Sequence, residues 1–574
     1  MLVYGDAART EPGAAVLDRI AAGLATLAQE APGLARHGRL VALFIEAAML
    51  AQGLADRDFE ARASDRRTPA GEAATALVLA LAARVAVSWR GGFGEGGPAP
   101  VAEIAAVRAA MPEGALSLRQ PEGYAFYALY PEQVLEAASR LPAGDWRVVG
   151  IRSIGTGLAA LAAVALGAPP PLTVRPVGHP FRRTLALDEG LRRELAGHAG
   201  PFAIVDEGPG LSGSSFGAVA DTLEALGVAR ERIAFLPGHG GDLGPEASDT
   251  HRARWREARR PVADFGALFL DGAPERRLAT WFADIAGPAI APLEEVSGGR
   301  WRALRYASEA DWPAADPQNE RRKYLLTTAG GRYLLKFSGL GLGEAETFAL
   351  ARRLHAAGFT PEPLALRHGV LAERWVDAAP LRPAEMGERF VAHLGRYLAF
   401  RRTLPGRPEG GADPRLLLTM MTRNAGLALG EDAAKALDRA WAPRLARLAA
   451  AANPVAIDGR LDDAEWLVRD DGRFLKADAL DHHAAHDLVG CQDIAWDVAG
   501  AITEFGLAPR EAETLCRQVG GVDPDLLALH RRAYPAFRLG AATQAASSAG
   551  WDPAEAQRLE ARAAGYARAL AALL

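Results

Sequence analysis

The stretch Phe202-Ala-Ile-Val-Asp-Glu-Gly-Pro-Gly-Leu-Ser-Gly-Ser-Ser-Phe216 constrains this chain more than any other. Four apolar residues run into two adjacent carboxylates, Asp206 and Glu207. Glycines and hydroxyls follow, and an amphipathic run from Phe216 reads as a helix. A short apolar run bounded by turn residues, ahead of a helical pattern, predicts a buried strand of a parallel sheet. Ligands of such sheets sit beyond the carboxyl ends of the strands. Glycines let the backbone approach a phosphate, and the backbone N–H groups with the helix dipole attract it. The acid pair would repel a lone phosphate, so it makes sense beside sugar hydroxyls and a divalent metal. The plainer alternative is a strand-to-helix turn of a Rossmann-like sheet that binds nothing.

This order of residues resembles the PRPP-binding motif of class I phosphoribosyltransferases, with Ser212-Gly213-Ser214-Ser215 in place of Thr-Gly-x-Thr and a spacer one residue longer. The resemblance implies that Asp206 and Glu207 bind the ribose hydroxyls and Mg²⁺, and that Gly210 and Ser212 to Ser215 hold the 5′-phosphate. A second loop, Gly150-Ile-Arg-Ser-Ile-Gly-Thr-Gly157, lies between an expected strand and helix about 55 residues earlier. It looks like the diphosphate loop of the same enzymes, with Arg152, Ser153, Gly155, Thr156 and Gly157 as ligands. The loop sequences are most similar to phosphoribosyltransferase-like proteins encoded with bacterial tellurite-resistance and stress operons.

Length 574 predicts several domains with ample core. A net charge of −5 gives no reason to expect nucleic acid or an anionic membrane as partner. Two cysteines, Cys491 and Cys516, suit a reducing compartment. No basic-then-apolar leader is expected, and the apolar run Ala73 to Val87 is short for a membrane span, so the chain reads as cytoplasmic. The expected class is α/β. A helical N-terminal extension over 1–100 precedes a Rossmann-like parallel-sheet domain over 101–290. The second of these begins with a strand at Gly123 to Leu129. Between its loops, His179, Arg182 and Arg183 form a basic cluster that faces an anionic substrate or solvent, and His239 faces a base or caps a turn. His37 reads as a surface residue.

After Gly287 the pattern changes to a two-lobed α+β unit over 291–574. Lys323-Tyr-Leu-Leu-Thr-Thr and Arg332-Tyr-Leu-Leu-Lys336-Phe flank a Gly-Gly turn, which predicts a hairpin. A helix with Glu344 and Glu346 follows. Only four lysines occur, Lys323, Lys336, Lys435 and Lys476, so each is informative. The segment resembles the N-lobe of the aminoglycoside phosphotransferase and protein kinase superfamily, which implies that Lys336 contacts ATP phosphates and pairs with Glu346 or Glu344. Downstream the register of that family's catalytic loop holds, but its residues do not. Arg460 takes the place of the catalytic Asp, Glu465 that of the metal-binding Asn, and Asp478 matches the metal-binding Asp. An Arg stays protonated and cannot accept a proton. Either Asp458 or Asp462 has taken over that role, or nucleotide binds without ordinary phosphoryl transfer. Glu465 and Asp478 remain suitable oxygen ligands for Mg²⁺. His482 and His486, four apart, would share a face if helical, next to Asp481 and Asp487; they line the cleft or hold a metal. Cys491 reads as a small buried residue.

Taken together, the expectation is a phosphoribosyltransferase-like enzyme moving ribosyl phosphate between PRPP and a nitrogenous acceptor, fused to a divergent ATP-binding kinase-like module. The rival is a non-catalytic nucleotide sensor or scaffold. Partners are small molecules, and oligomer formation is left open.

Overall fold

The computed structural model describes residues 1–5, 8–317, 319–406 and 410–574. Helices Gly13–Leu27, Leu34–Arg62 and Pro69–Arg90 open the chain. The third starts where Thr68 accepts from Gly71 N (3.1 Å) with Pro at the first helical position, a favourable start for a helix. The second is apolar almost all round and is buried from Leu40 to Leu54, as a helix at the centre of a core must be. It and Pro69–Arg90 are long and apolar enough to cross a membrane. The most apolar stretch of the first is 89% buried inside the fold and that of the second 50%.

A four-stranded parallel sheet follows, in the order Leu172–Val174, Arg147–Ile151, Phe202–Asp206, Ile233–Pro237. Helices Gly155–Leu166 and Ser214–Ala225 are its strand-to-helix continuations. A two-stranded hairpin, Pro176–His179 with Arg182–Leu185, leaves the sheet at the same end. The expected strand at Gly123 to Leu129 is instead a helical turn, Glu122–Ala125, and a loop. Its apolar residues do not alternate, so periodicity could not separate a strand from a buried turn. There the backbone bonds locally, Leu129 N to Gly123 O at 3.0 Å, and across the chain, Leu340 N to Tyr124 O at 2.9 Å.

Beyond residue 290 a five-stranded antiparallel sheet forms in the order Pro363–Arg367, Val370–Arg374, Gly331–Phe337, Lys323–Thr328, Glu294–Glu295. Helix Glu344–Ala356 packs on it. The remainder is mainly helical, with a small antiparallel ribbon, Ala379–Pro380, Trp466–Val468 and Phe474–Lys476.

Two features tie these parts together. One apolar core runs without a break from Val16 and Phe44 through Val148, Tyr130 and Phe269 to Tyr324, Phe337 and Val370. It fills one face of the parallel sheet and one face of the antiparallel sheet, so no core boundary falls at residue 290. The segment Leu2 to Gly5 also docks on the C-terminal helical part. Leu2 N donates to Asn424 Oδ1 (2.7 Å), Leu488 N to Val3 O (2.8 Å) and Gly5 N to His486 O (3.1 Å).

Candidate functional site

The antiparallel sheet builds the larger site. Lys323 and Lys336 stand directly opposite each other on paired strands. Like charges so placed repel, and the arrangement needs anionic neighbours. Those are supplied by the loop after Phe474–Lys476: Lys336 Nζ bonds Asp478 Oδ1 at 2.5 Å and lies 3.4 Å from Asp481 Oδ1. Lys323 pairs with Glu320 (2.8 Å) and lies 3.9 Å from Asp478 Oδ2. Burial works against the Lys336 charge, but the two aspartates overcome it and hold its pKa above the ordinary lysine value. At Asp478 the two lysines outweigh burial, and at Asp481 Lys336 and Arg321 (2.9 Å) do, so both carboxyls are held below the carboxylate range.

These groups line a cleft of about 280 Å³, together with Glu373, Arg460 and His486. Glu373 lies on the strand beside Lys336, and burial pushes its carboxyl up to about 7. Tyr4 closes the mouth, stacked on His486 with ring centroids 4.7 Å apart.

Several expectations are corrected here. Glu346 is exposed on its helix, and Glu344 instead accepts from Gly369 N (2.9 Å), so neither pairs with Lys336. The Asp478 loop reaches the lysine first. Asp458 is 1% exposed and lies outside the cleft lining. Tyr397 OH donates to it, with Lys476 Nζ at 3.5 Å, Arg401 at 3.9 Å and His482 Nδ1 at 3.2 Å. Burial would raise its pKa, yet Lys476, His482 and Arg401 pull it below the usual range. It is a structural anion, not a proton acceptor. Asp462 accepts from Arg538 (2.6 Å) and from Arg562. Arg460 Nη2 lies 3.2 Å from Asp487. Glu465 is held by Lys476 and belongs to a group with Asp458 and His482, whereas Asp478, Asp481 and His482 form another. His482 and His486 are not on one helical face. The chain makes a single tight turn at His482–Ala484, and the two rings diverge to Asp458 and Tyr4.

The smaller site lies at the carboxyl edge of the parallel sheet. Asp206 ends its strand, and Glu207 N donates to its Oδ1 (2.9 Å), while Glu207 Oε2 accepts from Gly123 N (3.0 Å). Both carboxylates face a cavity of about 190 Å³ that Ser153, Ile154, Gln120 and Arg119 also line. Burial raises the Asp206 carboxyl to about 7. Burial and the adjacent Asp206 raise Glu207 to about 8.

Around this pair the loops differ from expectation. Arg152 does not face the cavity. Its side chain is 1% exposed and is bound by Asp56 (2.8 Å), Asp65 and the Thr173 carbonyl (3.0 Å). Two buried carboxylates fix that guanidinium, so it is a structural ion pair between the long helix and the sheet. Gly155 and Gly157 also serve packing. A Cβ at Gly155 would lie 2.7 Å from Val205 O, and one at Gly157 would lie 3.2 Å from Phe44 and Ala48. Thr156 is buried between them. Of that loop, Ser153 and Ile154 line the cavity.

In the second loop Gly210 and Gly213 take left-handed conformations (φ 57° and 63°), which lets the chain turn into the helix. That helix, Ser214–Ala225, has no side-chain cap at its start, and Ser215 is half-buried in its first turn. The hydroxyls of Ser212 and Ser214 bond each other (2.9 Å), and Ser214 donates to Pro180 O (2.6 Å) at the tip of the overlying hairpin. His179 and Arg182 are exposed at that tip, and Arg183 is tied back to Pro176 O (3.1 Å). His239 accepts from Gly241 N (3.1 Å) and so caps its own turn.

Sequence reasoning missed Asp56, Asp65, Asp481 as a lysine partner, and Glu373. Asp56 carried a readable signal, a carboxylate one turn beyond Gln52 at the end of the apolar stretch Leu40 to Leu54. Glu373 carried a similar one, a carboxylate inside the apolar strand Val370–Arg374.

No protein-family model matches the chain, and no curated protein matches it. Among solved structures, it is similar to a choline/ethanolamine kinase family protein from Mesorhizobium loti (17% identity, 53% of this chain and 96% of that one, TM-score 0.32). It is also similar to choline kinase LicA from Streptococcus pneumoniae (16%, 43% and 89%, TM-score 0.31). A spectinomycin phosphotransferase in complex with ADP and spectinomycin gives 13%, 52% and 97%, with a TM-score of 0.34.

Proposed function

We propose that the chain is a transferase whose C-terminal cleft binds a magnesium nucleotide such as ATP. The observation that carries this reading is the pair Lys323 and Lys336, set side by side in register with Asp478 between them. Two adjacent ammonium groups suit the oxygens of a polyphosphate, and Asp478 and Asp481 are hard oxygen donors suited to Mg²⁺. Magnesium supplies charge neutralisation on the phosphates when bound. The chain's own residues position those phosphates and, with Tyr4 and His486, narrow the mouth.

Around Arg460 no described carboxylate is free to take a proton from a neutral hydroxyl, whereas Glu373, raised to about 7, lies on the strand beside Lys336. Among the described residues in that part of the cleft, Asp462, Asp487 and Glu465 are each held by Arg or Lys, and Asp458 is sealed. An acceptor that is already anionic, a carboxylate or a phosphate, needs no base, and Arg460 is placed to neutralise it. Calorimetric titration of the full chain with Mg·ATP tests the reading. Lys323→Met is expected to weaken binding at least tenfold. Equal affinity in wild type and variant would refute it.

A second reading, ribosyl-phosphate transfer from PRPP to a nitrogenous acceptor, is favoured by Asp206 and Glu207 facing the smaller cavity, which Ser153 also lines. It requires the hairpin tip at Pro180 to release Ser214 so that the helix start can take the 5′-phosphate. Titration with Mg·PRPP, compared with Asp206→Asn, tests it; indifference of binding to that change would remove the assignment.

A further inference from the structure

We infer that His37, Glu132 and His368 form a closed structural site for a borderline divalent cation of the zinc type, which fastens the N-terminal helices, the parallel-sheet unit and the antiparallel sheet to one another. The three residues come from far apart: the long helix Leu34–Arg62, the helix Pro131–Ala138, and the turn between strands Pro363–Arg367 and Val370–Arg374. All are essentially without solvent exposure, at 1%, 0% and 1%.

The geometry converges on one point. His37 Nε2 lies 2.7 Å and His368 Nε2 3.2 Å from the same oxygen, Glu132 Oε1. A tetrahedral metal with bonds of ~2.0–2.1 Å sets its donor atoms about 3.3 Å apart, so a small opening of this triangle admits one. The other oxygen, Glu132 Oε2, is buried and has no hydrogen-bond partner. A buried carboxylate oxygen left bare is costly. With both oxygens on a metal, two imidazoles and one bidentate carboxylate give the four donors of a closed site.

Proton assignment points the same way. Ser88 Oγ donates to Gly94 O (3.1 Å) and lies 2.9 Å from His37 Nδ1. With its single hydrogen on Gly94, Ser88 accepts from His37 Nδ1–H, which fixes the tautomer and leaves the Nε2 lone pair aimed at Glu132. Two acceptors at 2.7 Å need a proton or a metal ion between them, and the bare Glu132 Oε2 favours the metal. A His ligand whose second nitrogen is oriented by a hydrogen bond is the usual second shell of a metal site. Trp89, Phe93, Tyr130 and Trp281 enclose the cluster, so a bound ion would be shielded from water. The two other His/carboxylate groups differ in that Lys336 or Lys476 already neutralises their acids.

The test uses the full chain purified without chelators. Elemental analysis is expected to find about one zinc-type ion per chain. After stripping with a chelator, Co²⁺ is expected to bind one-to-one with visible absorption of a low-coordinate site, and the thermal midpoint lost on stripping is expected to return with Zn²⁺. Glu132→Gln and His368→Asn, the latter tolerant of the φ of 46° at that turn, are expected to lose the ion. His482→Asn, which removes a member of both other groups, is expected to keep it. A wild-type chain that is metal-free as purified and takes up no Co²⁺ or Zn²⁺ overturns the proposal, and this arm holds even if the two variants fail to fold. Unchanged metal content in the folded His368→Asn protein, or its loss in His482→Asn, overturns it as well.

Discussion

Asp206→Asn should make the protein more stable at pH 8 and have little effect in acid. The folded structure holds the Asp206 carboxyl up at about 7, from an ordinary 3.8, chiefly through burial. A carboxyl raised in this way binds its proton more tightly folded than unfolded. Stability therefore falls as pH rises from about 4 toward 7, and the penalty is complete above that. A shift of about three units corresponds to ~4 kcal/mol at ~1.4 kcal/mol per unit. The residue is only half-buried beside a cavity, so solvent screening reduces the expected gain to ~2 kcal/mol. Asparagine keeps the oxygen that accepts from Glu207 N. Denaturant unfolding of wild type and variant at pH 8 and pH 4.5 measures the effect, with the gain shrinking below ~1 kcal/mol at the lower pH. Equal changes at both pH values, or a loss at pH 8, would refute the argument that burial strains this carboxylate. A stabilised variant that no longer binds Mg·PRPP would mark the acid pair as kept for its ligand at the expense of the fold.

Arg152→Met leaves Asp56 and Asp65 with one fewer cation in a buried setting and should cost ~3–5 kcal/mol, read as a lowered unfolding midpoint or insoluble protein. A folded, equally stable variant altered only in ligand binding would restore Arg152 to the diphosphate loop. Lys336→Met should be more damaging than Lys323→Met in thermal unfolding, because Lys336 is 3% exposed and serves both Asp478 and Asp481. Gly150→Ala should abolish soluble expression, since its Cβ would fall 2.2 Å from Gly155 O.

Whereas the pairing of Lys323 with Lys336 emerges only from the strand register, the acid pair and Lys336 were legible because each lies at the end of an apolar strand, where a charge has to face a ligand or a partner. The alternation of strands and helices after Val101 and the Gly-Gly hairpin were legible for the same reason, as local patterns. What escaped was set by long-range pairing. Nothing near Arg152 announces that Asp56 and Asp65 will close around its guanidinium, and nothing near Lys336 says that Asp478 will reach it before Glu346. Asp458, two residues before the altered catalytic position, reads in sequence as a replacement base, but Lys476, Arg401 and His482, far from it in sequence, enclose it. His37 looked like a surface residue because its partners, Glu132 and His368, lie far away in sequence.

The docking of Val3 and Gly5 on Leu488 and His486 sets a timetable for synthesis. At ~5–20 residues per second, roughly half a minute to a minute and a half separates the emergence of the two sides. During that interval the Tyr4 segment has no surface to pair with, and the cleft has no mouth. The cleft can take its final form only when the segment around His486 has left the ribosome, so a chain stopped before it lacks that part of the lining.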